Sequence, residues 1–263
     1  MGIEDLRCPR DRAPLEFRPG LESGAGRESP TLLCTACRWI SPLSNGIPDL
    51  PPPDHWEPDA AETVRREQAF RDDDSVRYDG MLGLRLFSRF ELPLLLSGLR
   101  GADARVAEVG CGTGRVTLRL AALGARVLAV DHSLTSLSRL QAKLSAPGRD
   151  AVQLVRSDAT QIPVADGWAT HVVSAQLLEH VPTEALRRRV IAEMARLLPP
   201  GGRLALTAYR ALPWLRQEGF HSGELYFHRF RREELARLLD PWFDVTTLTG
   251  RLGYVWLVRG RRR

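Results

Sequence analysis

The chain has 263 residues, with 37 lysines and arginines against 32 acidic residues and a formal net charge of +5. That length allows one large domain beside a small one and a sizeable core, and no apolar run reaches the length of a membrane span. The charged, proline-bearing opening has no secretion-leader pattern. Without one, four cysteines argue against a disulfide framework, so a cytoplasmic protein is expected. Lys143 is the only lysine, so the positive charge reads as a coding bias toward arginine rather than a selected phosphate-binding surface, and Arg261, Arg262 and Arg263 read as a solvated tail.

Residues 1–50 are poor in helical periodicity and rich in turn formers. Leu50-Pro51-Pro52-Pro53-Asp54 follows as a stiff linker, which divides the chain into 1–54 and 55–263. A helical lead-in over 60–99 is predicted next, with a charged helix at 60–71 and a second at 81–99. From 104 onward, strand patterns (105–109, 126–130, 152–156, 170–175, 203–208, 243–248, 253–259) alternate with helical ones (114–123, 133–145, 183–197, 231–239). Val190, Met194 and Leu197 mark the core face of one of these helices. Such alternation predicts an α/β fold with a parallel sheet covered by helices on both faces. Thr249-Gly250-Arg251 is too short for a crossover, so the last two strands should pair antiparallel.

Residues 106–114 read Val-Ala-Glu-Val-Gly-Cys-Gly-Thr-Gly, and Asp131 closes the next apolar run. Glycines let a ligand approach the backbone, and a helix N-terminus offers free N–H groups to an anion. A carboxylate at the end of the second strand can accept from both ribose hydroxyls, so a nucleoside-containing cofactor is expected. A dinucleotide fingerprint would want a glycine where Arg115 stands. The run from Glu108 to Gly114 instead resembles the first motif of the class I S-adenosylmethionine (SAM) methyltransferases. Leu-Leu-Pro-Pro-Gly-Gly-Arg-Leu (197–204) resembles that family's turn into its fifth strand. The resemblance covers roughly residues 60 to 260. It implies a Rossmann-like, seven-stranded, mostly parallel sheet with one antiparallel strand.

The resemblance also assigns roles. The backbone of Gly110, Cys111, Gly112 and Gly114 faces the methionine part of the cofactor. Glu108 holds the loop and reaches toward the ammonium, or only caps backbone donors. Asp131 takes the ribose hydroxyls and His132 lies near the adenine edge. Asp158 accepts from the adenine amine beside the N–H of Ala159, or caps its own loop. Gln176 borders the sulfonium and the substrate. Tyr78, in a Tyr-Asp pair resembling one in many small-molecule methyltransferases, closes over the cofactor or simply packs. Cys111 is not read as a nucleophile.

Gln-Leu-Leu-Glu-His-Val (176–181) resembles a stretch of quinone-pathway and natural-product methyltransferases. His180 is the candidate general base; the alternative is a histidine that orders the loop before Pro182. The Asn/Asp-Pro-Pro-Tyr of exocyclic-amine methyltransferases is replaced by Ser-Ala-Gln-Leu (174–177), which argues against that chemistry. Between Tyr209 and Phe230 lies an aromatic-rich segment expected to be a loop. It offers Trp214, His221, Tyr226 and His228 as substrate-binding candidates, suited to an aromatic or polyprenyl group or to a stacked base.

Cys8-Pro-Arg-Asp11 and Cys34-Thr-Ala-Cys37, followed by Gly46-Ile47-Pro48-Asp49-Leu50, resemble the zinc-ribbon activators that partner tRNA and release-factor methyltransferases. The resemblance covers residues 5–52 and implies a small zinc-ribbon-like β domain. It departs where Asp11 replaces a cysteine. Cys8, Asp11, Cys34 and Cys37 could still close a tetrahedral structural site, with His55 a further candidate; alternatively the ribbon has lost its metal.

Three functions fit these residues. The first is a SAM-dependent methyltransferase acting on a small aromatic or isoprenoid-like metabolite. The second is an RNA base methyltransferase of the guanine-N1 type, whose members also carry a zinc ribbon. The third is a non-catalytic SAM-binding partner protein. The acceptor atom, the pathway and the oligomeric state are not encoded in any motif.

Overall fold

The structure, a computed structural model, describes residues 3–20, 22–23, 26–27, 29–50, 58–80, 82–99, 103–221, 225–250 and 252–263. Its centre is a seven-stranded sheet of β1 (Arg105–Val109), β2 (Arg126–Asp131), β3 (Val152–Arg156), β4 (His171–Ala175), β5 (Arg203–Tyr209), β6 (Phe243–Thr249) and β7 (Val255–Arg262). The order across the sheet is β6-β7-β5-β4-β1-β2-β3. Strands β1 to β5 pair parallel with their neighbours, whereas β7 runs antiparallel to both β5 and β6. The sheet is mostly parallel, as the alternating pattern predicts, and Rossmann-like, as the family resemblance implies. Val127, Leu128, Ala129 and Val130 are all fully buried, as expected of a strand covered on both faces.

The helices are α1 (Pro58–Gly80), α2 (Leu82–Leu95), α3 (Thr117–Ala122), α4 (Leu134–Lys143), α5 (Ala146–Ala151), α6 (Glu184–Arg196) and α7 (Arg232–Leu239). Two differ from expectation. Helix α1 runs nine residues past the predicted end at 71, because its composition is polar almost throughout and gives no apolar period to follow. Helix α5 was not predicted; Ser145 and Pro147 open it, but it is short and buries no residue completely. The segment 209–230 also differs: Glu218–His221 and Leu225–His228 form an antiparallel hairpin rather than a loop.

The N-terminal residues form a small sheet ordered Leu15–Arg18, Thr31–Cys34, Ile40–Ser44, Ile47–Pro48. It does not stand apart from the large sheet. Leu6, Leu15, Leu32, Leu43 and Leu50 are buried in one continuous core with Val155, Ile162 and Val164. Asp49 bridges to Arg156 in parallel, and Leu50 N–H donates to the Arg156 carbonyl at 2.9 Å, so the end of the small sheet extends the open edge of β3. The Arg156 guanidinium closes this joint, donating to both Asp49 oxygens at 2.9 Å and to the His132 carbonyl at 3.0 Å.

Candidate functional site

Strands β1 to β4 bring their C-terminal ends to one edge of the sheet. The chain winds β1-β2-β3 to one side and then crosses to β4 on the other, so a crevice opens between β1 and β4. The glycine loop lies over it. Gly110 and Cys111 donate to the Val130 carbonyl at 2.9 and 3.0 Å, which staples the loop to β2. Gly114 has φ +91°, and a Cβ there would sit 2.1 Å from Leu140 Cδ1, so only glycine fits against α4. Gly112 also has positive φ, +52°, but nothing lies within 4 Å of its Cβ position; that space belongs to the cleft.

The cleft opens to solvent, and its empty space, solvent side included, is about 880 Å³. Glu108, Gly110, Cys111, Gly112, Asp131, His132, Ala159, Gln176 and His180 all line it, so residues spread over the sequence from 108 to 180 meet at one place. Asp131 accepts from Gly112 N–H at 2.7 Å and from Ser133 N–H at 2.9 Å, one bond on each oxygen. Each oxygen keeps a second lone pair for a ligand. His132 Nε2 is buried with no hydrogen-bond partner among the described residues, on a side chain that lines the cleft. Asp158 lies outside this cleft and lines a smaller adjoining hollow with Ala159 and His132. One of its oxygens accepts from both the backbone and the hydroxyl of Thr160, a turn cap. The side chain of Tyr78 lies outside the described residues.

Glu108 is buried, its Oε2 accepting from Thr117 at 2.6 Å; burial pushes its carboxyl up to about 8. Burial likewise holds the Cys111 thiol well above its ordinary value, so it stays neutral. Helix α2 contributes Glu91, which is fully buried behind the loop. Glu91 accepts from Thr207 at 2.6 Å and Gln176 at 3.1 Å on one oxygen, and from Arg115 on the other. It thereby ties the loop to the ends of β4 and β5, and it holds Gln176 at φ +58°. That conformation is uncommon for a residue other than glycine and recurs at functional sites. Sequence reasoning did not single out Glu91, although a lone acid inside Leu-Phe-Ser-Arg-Phe-Glu-Leu-Pro-Leu-Leu-Leu is a visible signal of a buried, paired charge.

Helix α1 also reaches the cleft, which the sequence did not announce. Glu67 and Arg71 line it, and Asp72 accepts from the Ser133 hydroxyl. Burial pushes the Glu67 carboxyl up to about 7, opposed by Arg71 one turn away.

His180 is buried, and its Nδ1 lies 2.8 Å from the Tyr226 carbonyl. A carbonyl only accepts, so Nδ1 carries the proton and Nε2 keeps its lone pair. Burial, reinforced by Arg71, holds the imidazole well below its ordinary value, so the ring is neutral. Its neighbour Glu179 is fully buried, and neither oxygen has a hydrogen-bond partner among the described residues. Burial pushes that carboxyl up to about 8. The native state therefore keeps a proton that the unfolded chain releases near its ordinary value, and stability drains away as pH rises between the two. Glu179→Gln should raise the melting temperature above pH 8 by about 5 °C and leave it unchanged below pH 4.5. An equal shift at both pH values would reject this account of the residue.

The four aromatic-segment candidates do not line the cleft. Trp214 is 76% exposed on a turn. His228 is held between Glu234 at 2.6 Å and Glu218 at 3.4 Å, which joins the hairpin to α7. On the same face of the hairpin, the Tyr226 hydroxyl accepts from Arg187 at 3.1 Å and donates to Glu218 at 3.4 Å, whereas His221 and Phe227 belong to the opposite face. His221 stacks on Phe227 at 4.2 Å and meets the edge of Tyr209, whose ring also lies 5.8 Å from His180. Strand alternation divides these side chains between two faces, a division the loop reading did not contain.

In the N-terminal segment the candidate ligand atoms of Cys8, Asp11, Cys34 and Cys37 all lie within 4.8 Å of one another. Cys8 and Cys37 sulfurs are 3.7 Å apart, and the Cys34 sulfur is 3.4 Å from Asp11 Oδ1. The edge of a zinc tetrahedron with sulfur at 2.3 Å is about 3.8 Å, so the donor set fits the ion. Arg10 and Cys37 N–H groups point at the Cys8 and Cys34 sulfurs at 3.4 Å, stabilising charge there.

Sheet order, glycine loop and crevice define the class of fold: a Rossmann-like domain with a ligand crevice at the C-terminal ends of its parallel strands. Residues 107–206 match the family described as methyltransferase domain. An uncharacterized methyltransferase of Mycobacterium tuberculosis is 38% identical over 124 residues, 46% of this chain and 47% of the relative. A ubiquinone biosynthesis O-methyltransferase of Xanthomonas euvesicatoria is 37% identical over 115 residues, 43% of this chain and 46% of the relative. The chain thus spans about half the length of the curated relatives it matches. Among solved structures, the 1,6-didemethyltoxoflavin-N1-methyltransferase of Burkholderia thailandensis, with bound 1,6-didemethyltoxoflavin and S-adenosylhomocysteine, shares the fold. Its TM-score is 0.61 at 18% identity, over 87% of this chain and 97% of that one.

Proposed function

We propose that the protein methylates a small aromatic or isoprenoid-like metabolite, using SAM held in the crevice between β1 and β4. The observation that carries this reading is His180, its Nδ1 committed to the Tyr226 carbonyl and Nε2 left as the acceptor nitrogen, on the wall of the same cleft that the glycine loop and Asp131 line. SAM, when bound, supplies a methyl group on a sulfonium, so the chain needs mainly to align an acceptor and exclude water. Asp131 and the orphaned His132 Nε2 are the partners for the nucleoside end, and Glu108 and the loop backbone for the amino-acid end. His180 takes the proton that a hydroxyl acceptor loses. Tyr209, His221 and Tyr254 make an aromatic surface beside it, suited to a flat or prenylated ring. Among the relatives are a ubiquinone biosynthesis O-methyltransferase and a demethylmenaquinone methyltransferase, which supports this substrate class.

Isothermal titration with SAM tests the cofactor half; absence of binding at high micromolar concentration overturns it. Labelled methyl transfer from SAM to hydroxylated, prenylated aromatics tests the acceptor half. Transfer to ribosomal RNA and not to these compounds would replace the metabolite reading.

The two-part organisation, 1–54 and 55–263, belongs to the same proposal, with the N-terminal sheet as a zinc-holding support that completes the edge of β3. Purified protein should carry about one equivalent of zinc, lost together with several degrees of thermal stability in Cys34→Ala. Zinc near zero equivalents by elemental analysis would leave the ribbon resting on its apolar core.

A further inference from the structure

Helix α2 has two apolar faces. One points inward, where Ser88, Glu91, Leu92 and Leu95 are buried against the sheet and the glycine loop. The other points out. Leu82 is 70% exposed, Leu86 50%, Phe90 69% and Leu94 41%. These four stand at successive steps of four along the helix, so they form one continuous outer stripe about 18 Å long. Scattered exposed leucines need no explanation, but an aligned row with a phenylalanine at its centre does.

Along α2 itself the exposed charge has one sign. Arg85 and Arg89 are exposed on the same helix. The Arg259 guanidinium reaches the Leu94 carbonyl, and that of Arg203 bonds the Gly98 carbonyl at 3.2 Å just beyond the helix end. The only acid between residues 82 and 95 is Glu91, which is buried. A row of leucine and phenylalanine flanked by arginines, without exposed acids, is the composition of a helix that lies in the plane of an anionic membrane interface. A second copy of the chain fits less well: a two-fold contact on this stripe would bring the same arginines together from both sides.

We propose that the outer face of α2 docks on an anionic lipid bilayer. Among the described residues no helix is long and apolar enough to cross a membrane, so the contact is with the interface only. Docking there has a consequence for the site. The Phe87 ring, on α2, lies 4.7 Å from Tyr254, which lies 6.3 Å from Tyr209, which lies 5.8 Å from His180. This run of rings leads from the docked helix to the base nitrogen. An apolar acceptor dissolved in the bilayer would reach the cleft along it; that last step rests on the metabolite reading above, whereas the docking does not.

Co-sedimentation with vesicles tests the proposal on the full-length protein. With phosphatidylcholine containing a quarter phosphatidylglycerol, most of the protein should pellet, at least about fivefold more than with phosphatidylcholine alone. Leu86→Glu with Phe90→Glu should bring pelleting down to the level without vesicles. Arg89→Glu should weaken it less and abolish the difference between the two lipids. Because these side chains are exposed, the variants should keep the wild-type melting temperature and SAM affinity. Wild-type protein that stays in the supernatant, or a double variant that pellets like wild type, overturns the proposal. So does a vesicle-free dimer in sedimentation velocity that the double variant dissolves, since the stripe would then belong to a second copy. Vesicle binding in a protein that fails to bind SAM would reject the enzymatic reading and leave the docking in place.

Discussion

Asp131→Ala should raise the dissociation constant for SAM by at least about 100-fold in isothermal titration, to the point where binding is no longer seen. Two effects of the same sign add. On the proposed reading the variant removes the acceptor for two ribose hydroxyls, and charge-assisted bonds of this kind contribute about 1.5–3 kcal/mol each. It also frees the Gly112 N–H, which Asp131 holds at 2.7 Å, and the Ser133 N–H at 2.9 Å. The glycine loop then loses its tie across the crevice, and the backbone that faces the amino-acid end loosens. Asp131→Asn separates the two effects. An asparagine keeps one oxygen acceptor but turns the other position into a donor, which faces either Gly112 N–H or Ser133 N–H unfavourably. Its affinity should fall between the wild type and the alanine variant. Because Asp131 sits at a strand end and not in the core, both variants should fold, which circular dichroism checks. Wild-type affinity in Asp131→Ala would remove this carboxylate from the binding site.

What the sequence disclosed and what it withheld divide along a physical line. The apolar run of 106–109, the glycines after it and Asp131 lie within one strand-loop-helix-strand unit, so local pattern suffices to read them. The strand directions follow because each helical period between strands enforces a parallel crossover, and the short 249–251 connection enforces the antiparallel end. The contacts that fix the cleft are of another kind. Glu91 meets Arg115, Gln176 and Thr207 from a helix that precedes the sheet, and no spacing rule links those four positions. Glu67 and Arg71 reach the cleft from a helix with no apolar period to reveal which face turns inward. The hairpin at 218–228 has strands of four residues, too short for alternation to stand out from a loop rich in aromatics. Arg115, read from the sequence only as a missing glycine, acquires a role only once Glu91 is opposite it.

His180→Ala should lower turnover about 100-fold while the affinity for SAM stays within a factor of two. A positioned general base contributes typically 10²–10⁴-fold, so about 100 is the low end of that range. The tautomer argument gives the prediction its direction. Nδ1–H is committed to the Tyr226 carbonyl at 2.8 Å, so Nε2 is the acceptor nitrogen of a ring that lines the cleft. Burial, then Arg71, keeps the imidazole from protonating near its ordinary value. A base of this kind is active in its neutral form, and lowering its pKa extends that form toward acid. The pH profile of turnover should therefore stay flat down through pH 6.5 and fall only below it, where an exposed histidine would already have lost half its activity. His180→Gln distinguishes the base from a loop-ordering residue. The glutamine amide can donate to the Tyr226 carbonyl in place of Nδ1–H and keep the segment 178–180 in place, but it cannot take a proton. If His180 acts as the base, the glutamine variant should turn over as slowly as the alanine one. Turnover restored by glutamine would make the histidine a positioning residue for the turn before Pro182. Unchanged turnover in both would require an acceptor that gives up no proton as it is methylated, such as a tertiary amine.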